Sequence, residues 1–364
     1  MYAEHSRVPL SLIRAFEEHV MSISVIQWTT GHVGREAVKG ILRHPELELV
    51  GCYAWSGSKV GQDVGTLCGL APAGITASGD IDALLAMDAD CVCYMPTFPD
   101  IDEVERILAS GKNVVSSYFI NARSWGTDVQ SRLQKAAEAG NVSLFGSGIF
   151  PGFANFVAAI MAQASYGFKK VRFLESVDLS HYEAFANYAN LGWGQTPSDQ
   201  WRDTSEQVLG TYSECIDVIA SLLNVPISGI RFEYEHATTP NDREFFGFPL
   251  PAGSIAGQKC RWIGSVGSND VIELEVVWNA GKGLEPEWPV RHGYTMEIDG
   301  DPHIHTRVKF IPSESQMQGG RPADLANVVT AMPVINAIPA VCAAAAGIQT
   351  YADLPLIKPY YTPD

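Results

Sequence analysis

The sequence is short of positive charge and has no long apolar run. Its 364 residues include 25 Lys and Arg against 41 Asp and Glu, a formal net charge of −16 at pH 7. That balance argues against a nucleic acid or an anionic membrane as the partner. No apolar run approaches the roughly 20 residues of a membrane span, and Glu17 and Glu18 interrupt the place where a secretory signal would be apolar. We therefore expect a cytoplasmic protein that binds neither membrane nor nucleic acid.

Patterns typical of metal sites and disulfides are also missing. The seven cysteines include no C-x-x-C pair, and the nine histidines form no H-E-x-x-H motif. Cys91 and Cys93 lie two apart in an apolar run, a spacing that places both on one buried strand face. We expect reduced core thiols and no metal.

A glycine-containing turn after the first predicted strand is the most informative feature present. The strand 23–28 is followed at once by six turn residues and a helical pattern; the six are Thr29, Thr30, Gly31, His32, Val33 and Gly34. Because position 29 is threonine, the first glycine of the usual G-x-G-x-x-G is missing. A second strand-like run at 47–54 arrives one helix later, the spacing of a βαβ unit. We predict that these six residues bind the diphosphate of a dinucleotide at a helix N-terminus.

The second predicted strand ends without an acidic residue. NAD-selective sites usually have Asp or Glu there to hold the ribose hydroxyls. Ser56, Ser58 and Lys59 follow this strand instead. Hydroxyls and a positive charge suit a 2′-phosphate, so the sequence favours NADP as cofactor, with NAD possible. The simpler alternative is an ordinary polar loop.

The order of elements predicts an α/β protein of two domains. Strands and helices alternate from 23 to about 150, which indicates a Rossmann-type doubly wound parallel sheet. Beyond it, a helical stretch at 203–223 precedes five strand-like runs with hairpin turns between them, which predict an α+β domain with a largely antiparallel sheet. We expect four segments: an N-terminal extension (1–22), a dinucleotide-binding domain (23–150), a substrate and dimerisation domain (151–328), and a segment (329–364) packing back on the first domain, including a buried helix over 331–346.

Ligands of open parallel sheets bind beyond the carboxyl ends of the strands. Pro96 and Thr97 follow the third predicted strand, where we expect the nicotinamide ribose, and Phe98 is a candidate substrate contact. Tyr118 follows the fourth strand and is a candidate proton donor, with a stacking wall as the equal alternative.

The second domain also offers candidates at a strand end. His181 and Tyr182 follow the strand predicted over 171–179 and form a plausible acid/base pair near neutral pH, although such a histidine is more often structural. Tyr188 and Trp193 lie in the loop that follows and are predicted to contact substrate. This aromatic density suits an apolar or cyclic small molecule.

Five stretches of the chain match a known family, at residues 27–34, 60–65, 111–115, 148–153 and 336–341. They resemble oxidoreductases with a dihydrodipicolinate-reductase-type N-terminal domain, a group that includes 2,4-diaminopentanoate dehydrogenase and the native amine dehydrogenases. The resemblance implies a Rossmann domain, a sheet-containing second domain, and a homodimer formed through the latter.

One departure from the family pattern concerns the residues that follow the fourth strand. Amine dehydrogenases of this kind carry a catalytic Glu soon after the fourth strand, where this chain has Tyr118, Phe119 and Ile120. We predict an NADP(H)-dependent oxidoreductase that moves hydride to or from a C=O or C=N carbon of a small, fairly apolar substrate, similar to amine dehydrogenases but without that Glu. The alternatives are a ketone or enone reductase with a Tyr or His acid, and a catalytically inactive NADP-binding sensor or assembly protein.

Overall fold

The computed structural model describes residues 22–182, 185–318 and 324–361. The proposed extension 1–22 therefore lies outside the described residues, apart from Ser22. Within the described part, two six-stranded sheets and a two-stranded ribbon organise the chain.

The first sheet follows the alternation that the sequence predicts. Its strands and the helices between them are β1 Ile23–Trp28, α1 His32–Arg43, β2 Leu47–Tyr53, α2 Val64–Leu67, α3 Ile81–Leu85, β3 Cys91–Tyr94, α4 Ile101–Ala109, β4 Asn113–Ser116, α5 Thr127–Gly140 and β5 Ser143–Gly146. The five strands are parallel, in the order β5-β4-β3-β1-β2. Strands β3 and β5 are buried at every position, as expected for a parallel sheet covered on both faces.

Three helices of this domain begin at acidic caps, the first of which is α2, where Asp63 accepts from the amide of Thr66. Asp80 accepts from the amide of Ala83, and Asp100 accepts from the amides of Asp102 and Glu103. These bonds satisfy amides that have no partner inside the helix.

The second sheet is mixed and carries helices on one face. Its elements are α6 Ala154–Met161, β6 Phe168–Asp178, α7 Gln200–Val208, α8 Thr211–Leu222, β7 Gly229–Thr238, β8 Arg243–Phe245, β9 Phe248–Leu250, β10 Ile255–Val266, β11 Asn269–Asn279, β12 Gly293–Gly300 and β13 Ile304–Val308. The strand order is β13-β12-β6-β11-β10-β7, with β8 and β9 forming the separate ribbon. Only the β6–β11 pair is parallel, so the expected largely antiparallel α+β sheet is present.

The last part of the chain returns to the first domain. Its elements are α9 Glu314–Gln318, α10 Asp324–Ile335, α11 Ile338–Cys342 and β14 Gly347–Gln349. Strand β14 pairs with β5 and adds a sixth strand to the first sheet. The stretch Leu325–Cys342 has the length and mean hydropathy, 1.7, of a membrane span. Here it is divided between two helices whose buried side chains pack with those of α1 and β1.

Four features differ from the sequence prediction. The helix predicted over 203–223 is two helices, because the chain leaves the helical conformation at Leu209, which has φ of −97° and ψ of 21°. The helix predicted over 331–346 is also divided, since α10 ends at Ile335 and α11 begins with Ile338 and Pro339. The ribbon and β14 were not predicted, because three-residue strands carry too little alternation to detect.

Candidate active site

The turn after β1 is held in a conformation that glycine usually provides. Thr29 has φ of 72°, a left-handed value that favours glycine. Its hydroxyl donates to the carbonyl of Met95 at 2.9 Å, and the buried Gln27 amide donates to the carbonyl of Thr29 at 2.9 Å. These two hydrogen bonds hold the turn where the first glycine of the fingerprint is absent.

The two glycines that remain serve different purposes. A Cβ on Gly34 would lie 2.4 Å from the carbonyl oxygen of Thr29, so this glycine lets α1 approach the turn. A Cβ on Gly31 would meet no atom within 4 Å, so this glycine faces open space. The position suits a diphosphate that approaches the backbone closely.

The N-terminus of α1 also fits an anionic ligand. No side chain caps the helix, its first turn contains no acidic residue, and the first amide paired within the helix is that of Arg35, which donates to Gly31. The preceding amides and the positive end of the helix dipole are therefore available to a diphosphate.

Two cations lie beside this turn. Lys59 donates from Nζ to the carbonyl of Thr30 at 2.9 Å and to its hydroxyl at 3.2 Å. Burial lowers the pKa of Lys59, and the nearby charge of Arg35 lowers it further. Among the described residues no carboxylate pairs with either cation, and the buried Nε of Arg35 has no hydrogen-bond partner. Two neighbouring cations without an acidic partner favour the binding of an anion at this position.

The loop after β2 supplies further groups near Lys59. The hydroxyls of Ser56 and Ser58 lie 2.7 Å apart and share a hydrogen bond, and the indole of Trp55 is 77% exposed. Sequence reasoning missed Arg35 and Trp55, although an arginine in the first helical turn and an aromatic residue at a strand end were visible signals.

A cleft of about 350 Å³ lies between the two domains, near the carboxyl ends of β3 and β4. Four of the predicted residues line it: Thr97, Phe98, Tyr118 and Tyr188. It is also lined by four large aromatic side chains that we call the cleft aromatics: Phe150, Tyr188, Tyr212 and Trp278.

Tyr118 is positioned by a hydrogen bond to the loop after β3. Its hydroxyl donates to the carbonyl of Thr97 at 2.5 Å. Burial raises the pKa of Tyr118 to about 12, with a smaller contribution from Tyr182. Burial also raises the pKa of Tyr182, which lies next to the cleft without lining it. Both phenols are thus protonated near neutral pH, as a proton donor must be.

Three predicted site residues lie away from the cleft. His181 is exposed, because the short 3₁₀ turn Leu179–His181 directs it to the surface, and Pro96 is half-buried beside the loop. Trp193 was expected to contact substrate, but its side chain is fully buried against Phe185 and Tyr188. That expectation was wrong, since the aromatic residue completes the core of the second domain.

Glu175 is a buried carboxyl that sequence reasoning missed. It lies on β6, on the same face as Val171 and Phe173, and is 9% exposed. Its Oε2 atom has no hydrogen-bond partner in the described structure. Burial raises its pKa to about 8, against the opposing effect of polar contacts from Trp278 and Tyr212. A charged residue at an inward position of an alternating strand was the signal available in the sequence.

Glu214, the other acidic residue deep in the second domain, has a structural role. Its carboxylate accepts from the amides of Asn121, Ala122 and Ser124 at 2.9–3.1 Å and from the Ser124 hydroxyl. Burial raises its pKa while these hydrogen bonds oppose the shift. The network joins α8 to the loop after β4 across the domain boundary.

The described residues contain no group of three His, Cys, Asp or Glu side chains suited to a metal ion. All seven cysteines are unpaired, and six of them are buried.

Comparison with known proteins identifies the relatives of this chain. Residues 158–362 match the sequence model of the 2,4-diaminopentanoate dehydrogenase C-terminal domain. An amine dehydrogenase from Streptomyces virginiae is 27% identical over 356 residues, which cover 92% of this chain and 96% of that protein. A 4-hydroxy-tetrahydrodipicolinate reductase from Synechococcus elongatus is 27% identical over 164 residues, 43% of this chain and 57% of that one.

Solved structures show the same fold. The amine dehydrogenase from Mycobacterium smegmatis superimposes with a TM-score of 0.73 at 20% identity, covering 93% of this chain and 97% of that one. The scyllo-inositol dehydrogenase from Lactobacillus casei, solved with NAD(H) and scyllo-inositol, gives a TM-score of 0.52 at 15% identity over 87% and 89% of the two chains.

Proposed function

Because this chain belongs to the family of the 2,4-diaminopentanoate dehydrogenase C-terminal domain and is an NAD(P)-dependent oxidoreductase, we propose that it transfers hydride to or from the C=O or C=N carbon of a small, fairly apolar substrate. The observation that carries the proposal is the arrangement at the edge of the first sheet. The turn after β1 leads into an uncapped helix N-terminus beside two cations, and an aromatic cleft lies near the ends of β3 and β4. A bound nicotinamide would supply or accept the hydride in that cleft.

We propose NADP(H) as the preferred cofactor. The amides that begin α1 would hold the diphosphate. Lys59, Arg35 and the hydroxyls of Ser56 and Ser58 would hold the ribose 2′-phosphate, because two cations lie beside the loop after β2 and residues 54–62 contain no Asp or Glu. The exposed indole of Trp55 is placed to stack on the adenine.

The cleft residues orient the substrate and exclude water. The cleft aromatics provide apolar walls suited to an aliphatic or cyclic group. Tyr118, protonated at neutral pH, would donate a proton to a carbonyl oxygen or imine nitrogen. Its hydroxyl is tied to the Thr97 carbonyl, so this role requires that hydrogen bond to be exchanged for one to substrate. The presence of protonated Tyr118 in the cleft also favours the second candidate function, a ketone or enone reductase.

Oxidation of NADPH with a panel of cyclic and aliphatic ketones, with and without ammonia, separates the candidates. Turnover that depends on ammonia identifies an amine dehydrogenase. Turnover without ammonia identifies a carbonyl reductase. Tight NADPH binding with no turnover across the panel would indicate the inactive cofactor-binding protein.

The cofactor assignment has its own test. Lys59→Ala is expected to weaken NADPH binding by about tenfold or more, because a charged hydrogen bond to a phosphate contributes roughly 1.5–3 kcal/mol. NADH binding should change little, since the 2′-hydroxyl carries no charge. Calorimetric titration of both coenzymes measures the difference, and equal losses for the two would remove the 2′-phosphate from this site.

We also propose that the protein is a homodimer formed through the second sheet. The face of that sheet opposite its helices carries half-buried charged pairs, such as Lys170 with Glu273 at 2.5 Å and Arg261 with Glu275 at 2.9 Å. Such partly buried polar surface is compatible with a subunit contact.

A further inference from the structure

Glu175 is the one acidic residue among the buried polar side chains that have an unpartnered atom in the described part of the chain. A buried carboxyl normally has hydrogen-bond partners for both oxygens, as Glu214 has. The Oε2 atom of Glu175 has none among the described residues, although the side chain is 91% buried. An unpartnered buried oxygen of this kind needs a ligand or another explanation.

The neighbours of Glu175 place it behind the cleft. Tyr212 and Trp278 make polar contacts with its carboxyl, and both line the cleft. Tyr188, another of the cleft aromatics, interacts with it electrostatically, as does Tyr294, which lies directly opposite on β12. Within the described residues, tyrosines are the titratable groups that interact with this carboxyl, and no Lys, Arg or His forms an ion pair with it.

The aromatic rings form a continuous wall around that carboxyl. Ring centroids lie 5.8 Å apart for Phe150 and Tyr212, 5.5 Å for Tyr188 and Trp278, and 6.5 Å for Tyr212 and Trp278. Aromatic faces attract cations, and the attraction strengthens when water is excluded. A carboxyl without a cationic partner inside an aromatic wall is complementary to an alkylammonium ion.

We propose that Glu175 is the acidic residue of this active site and binds the ammonium group of a primary amine among the cleft aromatics. The proposal rests on the proposed function and specifies its substrate class. The carboxylate accepts one N–H hydrogen bond and takes that proton, so that R–NH₃⁺ and Glu–COO⁻ become R–NH₂ and Glu–COOH. The neutral amine is the form whose carbon can lose a hydride. In the opposite direction the Glu175 acid returns the proton.

This assignment explains how the chain can lack a carboxylate after β4. The position that holds Glu in amine dehydrogenases of this kind is occupied here by Tyr118, Phe119 and Ile120. Of these, Phe119 and Ile120 are buried in the core and Tyr118 lines the cleft. Glu175 approaches the same cleft from the second domain.

Calorimetry with cyclohexylamine and cyclohexanol tests the proposal. The two probes have the same ring and differ in charge. The full chain is titrated in the presence of NADPH, because the reduced coenzyme prevents turnover. We expect the amine to bind at least tenfold more tightly than the alcohol. Glu175→Gln should lower the amine affinity by about thirtyfold or more, the usual effect of removing one partner of a buried charge pair, and leave the alcohol affinity within about twofold.

Proton release gives a second readout that needs no variant. Because the pKa of Glu175 is about 8 in the free protein, the carboxyl is largely protonated at pH 7 and must ionise to pair with an ammonium ion. Amine binding to wild type at pH 7 should therefore release close to one proton, measured from the binding enthalpy in buffers of different ionisation enthalpy. At pH 9.5 the release should disappear.

Controls separate this proposal from the cofactor assignment. Glu297→Gln, on the exposed side of neighbouring β12, should leave both probes unaffected. Glu175→Gln should keep wild-type NADPH affinity. If wild type binds NADPH but releases no proton, or if Glu175→Gln keeps the amine preference, the role of Glu175 is refuted and the proposed function stands. Failure of wild type to bind either NADPH or NADH would refute the proposed function itself.

Discussion

The two glycines in the turn after β1 have different roles. Gly31 has φ of −70°, which alanine adopts freely, and a Cβ there meets open space. Gly34 has a backbone oxygen 2.4 Å from the position of its Cβ. Gly31 therefore leaves space for a ligand, whereas Gly34 leaves space for the Thr29 carbonyl of the protein itself.

Alanine substitutions at the two glycines should give opposite results. Gly31→Ala is expected to keep the melting temperature of wild type and to weaken NADPH binding, because the methyl group enters the space for the diphosphate. Gly34→Ala should lower stability by about 1–3 kcal/mol, because the Thr29 carbonyl must move. Thermal unfolding and calorimetric titration of both variants measure these effects. Unchanged NADPH affinity in Gly31→Ala would contradict the placement of the diphosphate.

Glu175 makes stability depend on pH. Its pKa is raised from 4.5 to about 8 by folding, so between these values the folded state holds a proton that the unfolded state has released. Stability therefore falls as pH rises through this window, by roughly 1.4 kcal/mol per pH unit at most. Glu175→Gln should remove this dependence and become increasingly more stable than wild type from pH 5 to pH 8. Urea unfolding at four pH values tests this, and a constant difference between the two proteins would contradict it.

At the scale of elements, α8 is tied to the first domain through Glu214. Its carboxylate satisfies three backbone amides in the loop that follows β4, and the same loop contains Tyr118. The orientation of the cleft walls therefore depends on this one side chain of a helix in the other domain.

Removing that carboxylate should loosen the contact between the domains. Glu214→Ala is expected to cost about 3 kcal/mol or more of unfolding free energy, because buried amides lose their acceptor. Asp82→Ala is the matched control, since it removes an exposed ion pair with Arg106 and should change stability by less than about 1 kcal/mol. Denaturant unfolding compares the two, and similar losses would show that the Glu214 network contributes little.

At the scale of the whole molecule, the two sheets are linked twice. The chain passes from β5 into the second domain, and α10, α11 and β14 return to the first. The buried apolar residues of α10 and α11 complete the core of the first domain. The first domain is therefore built from chain segments on both sides of the second domain, and the cleft lies between the two domains.

The proposed homodimer can be examined through one position on the second sheet. Leu174 lies on β6, paired with Glu275 of β11 and Thr295 of β12, on the face opposite Phe173 and Glu175. Sedimentation of wild type should give twice the 39.5 kDa chain mass. Leu174→Arg should shift the protein towards monomer, whereas Tyr166→Arg, at a side chain 98% exposed, should not. A monomeric wild type would rule the dimer out.

Much of the first domain was predictable because its signals are local. Each parallel strand and its following helix lie within about 30 residues of sequence, the span of a βαβ unit. The turn from Thr29 to Gly34 and the loop with Lys59 were found for the same reason. The close approach of Gly210 to Ser124 of the other domain was not, because the two residues are distant in the chain.

The sequence by itself determined the Rossmann strand–turn–helix and the mixed α+β character of the rest, since hydrophobic periodicity and turn residues act over short distances. The tertiary structure alone decided which side chains meet. Trp193 became core and His181 surface, and the pairing of β6 with β11 and β12 brought Glu175 beside Trp278, Tyr294 and the cleft. These contacts depend on the pairing register of strands that are distant in the chain. That register is set by the packing of the whole sheet, so the local sequence pattern does not predict it.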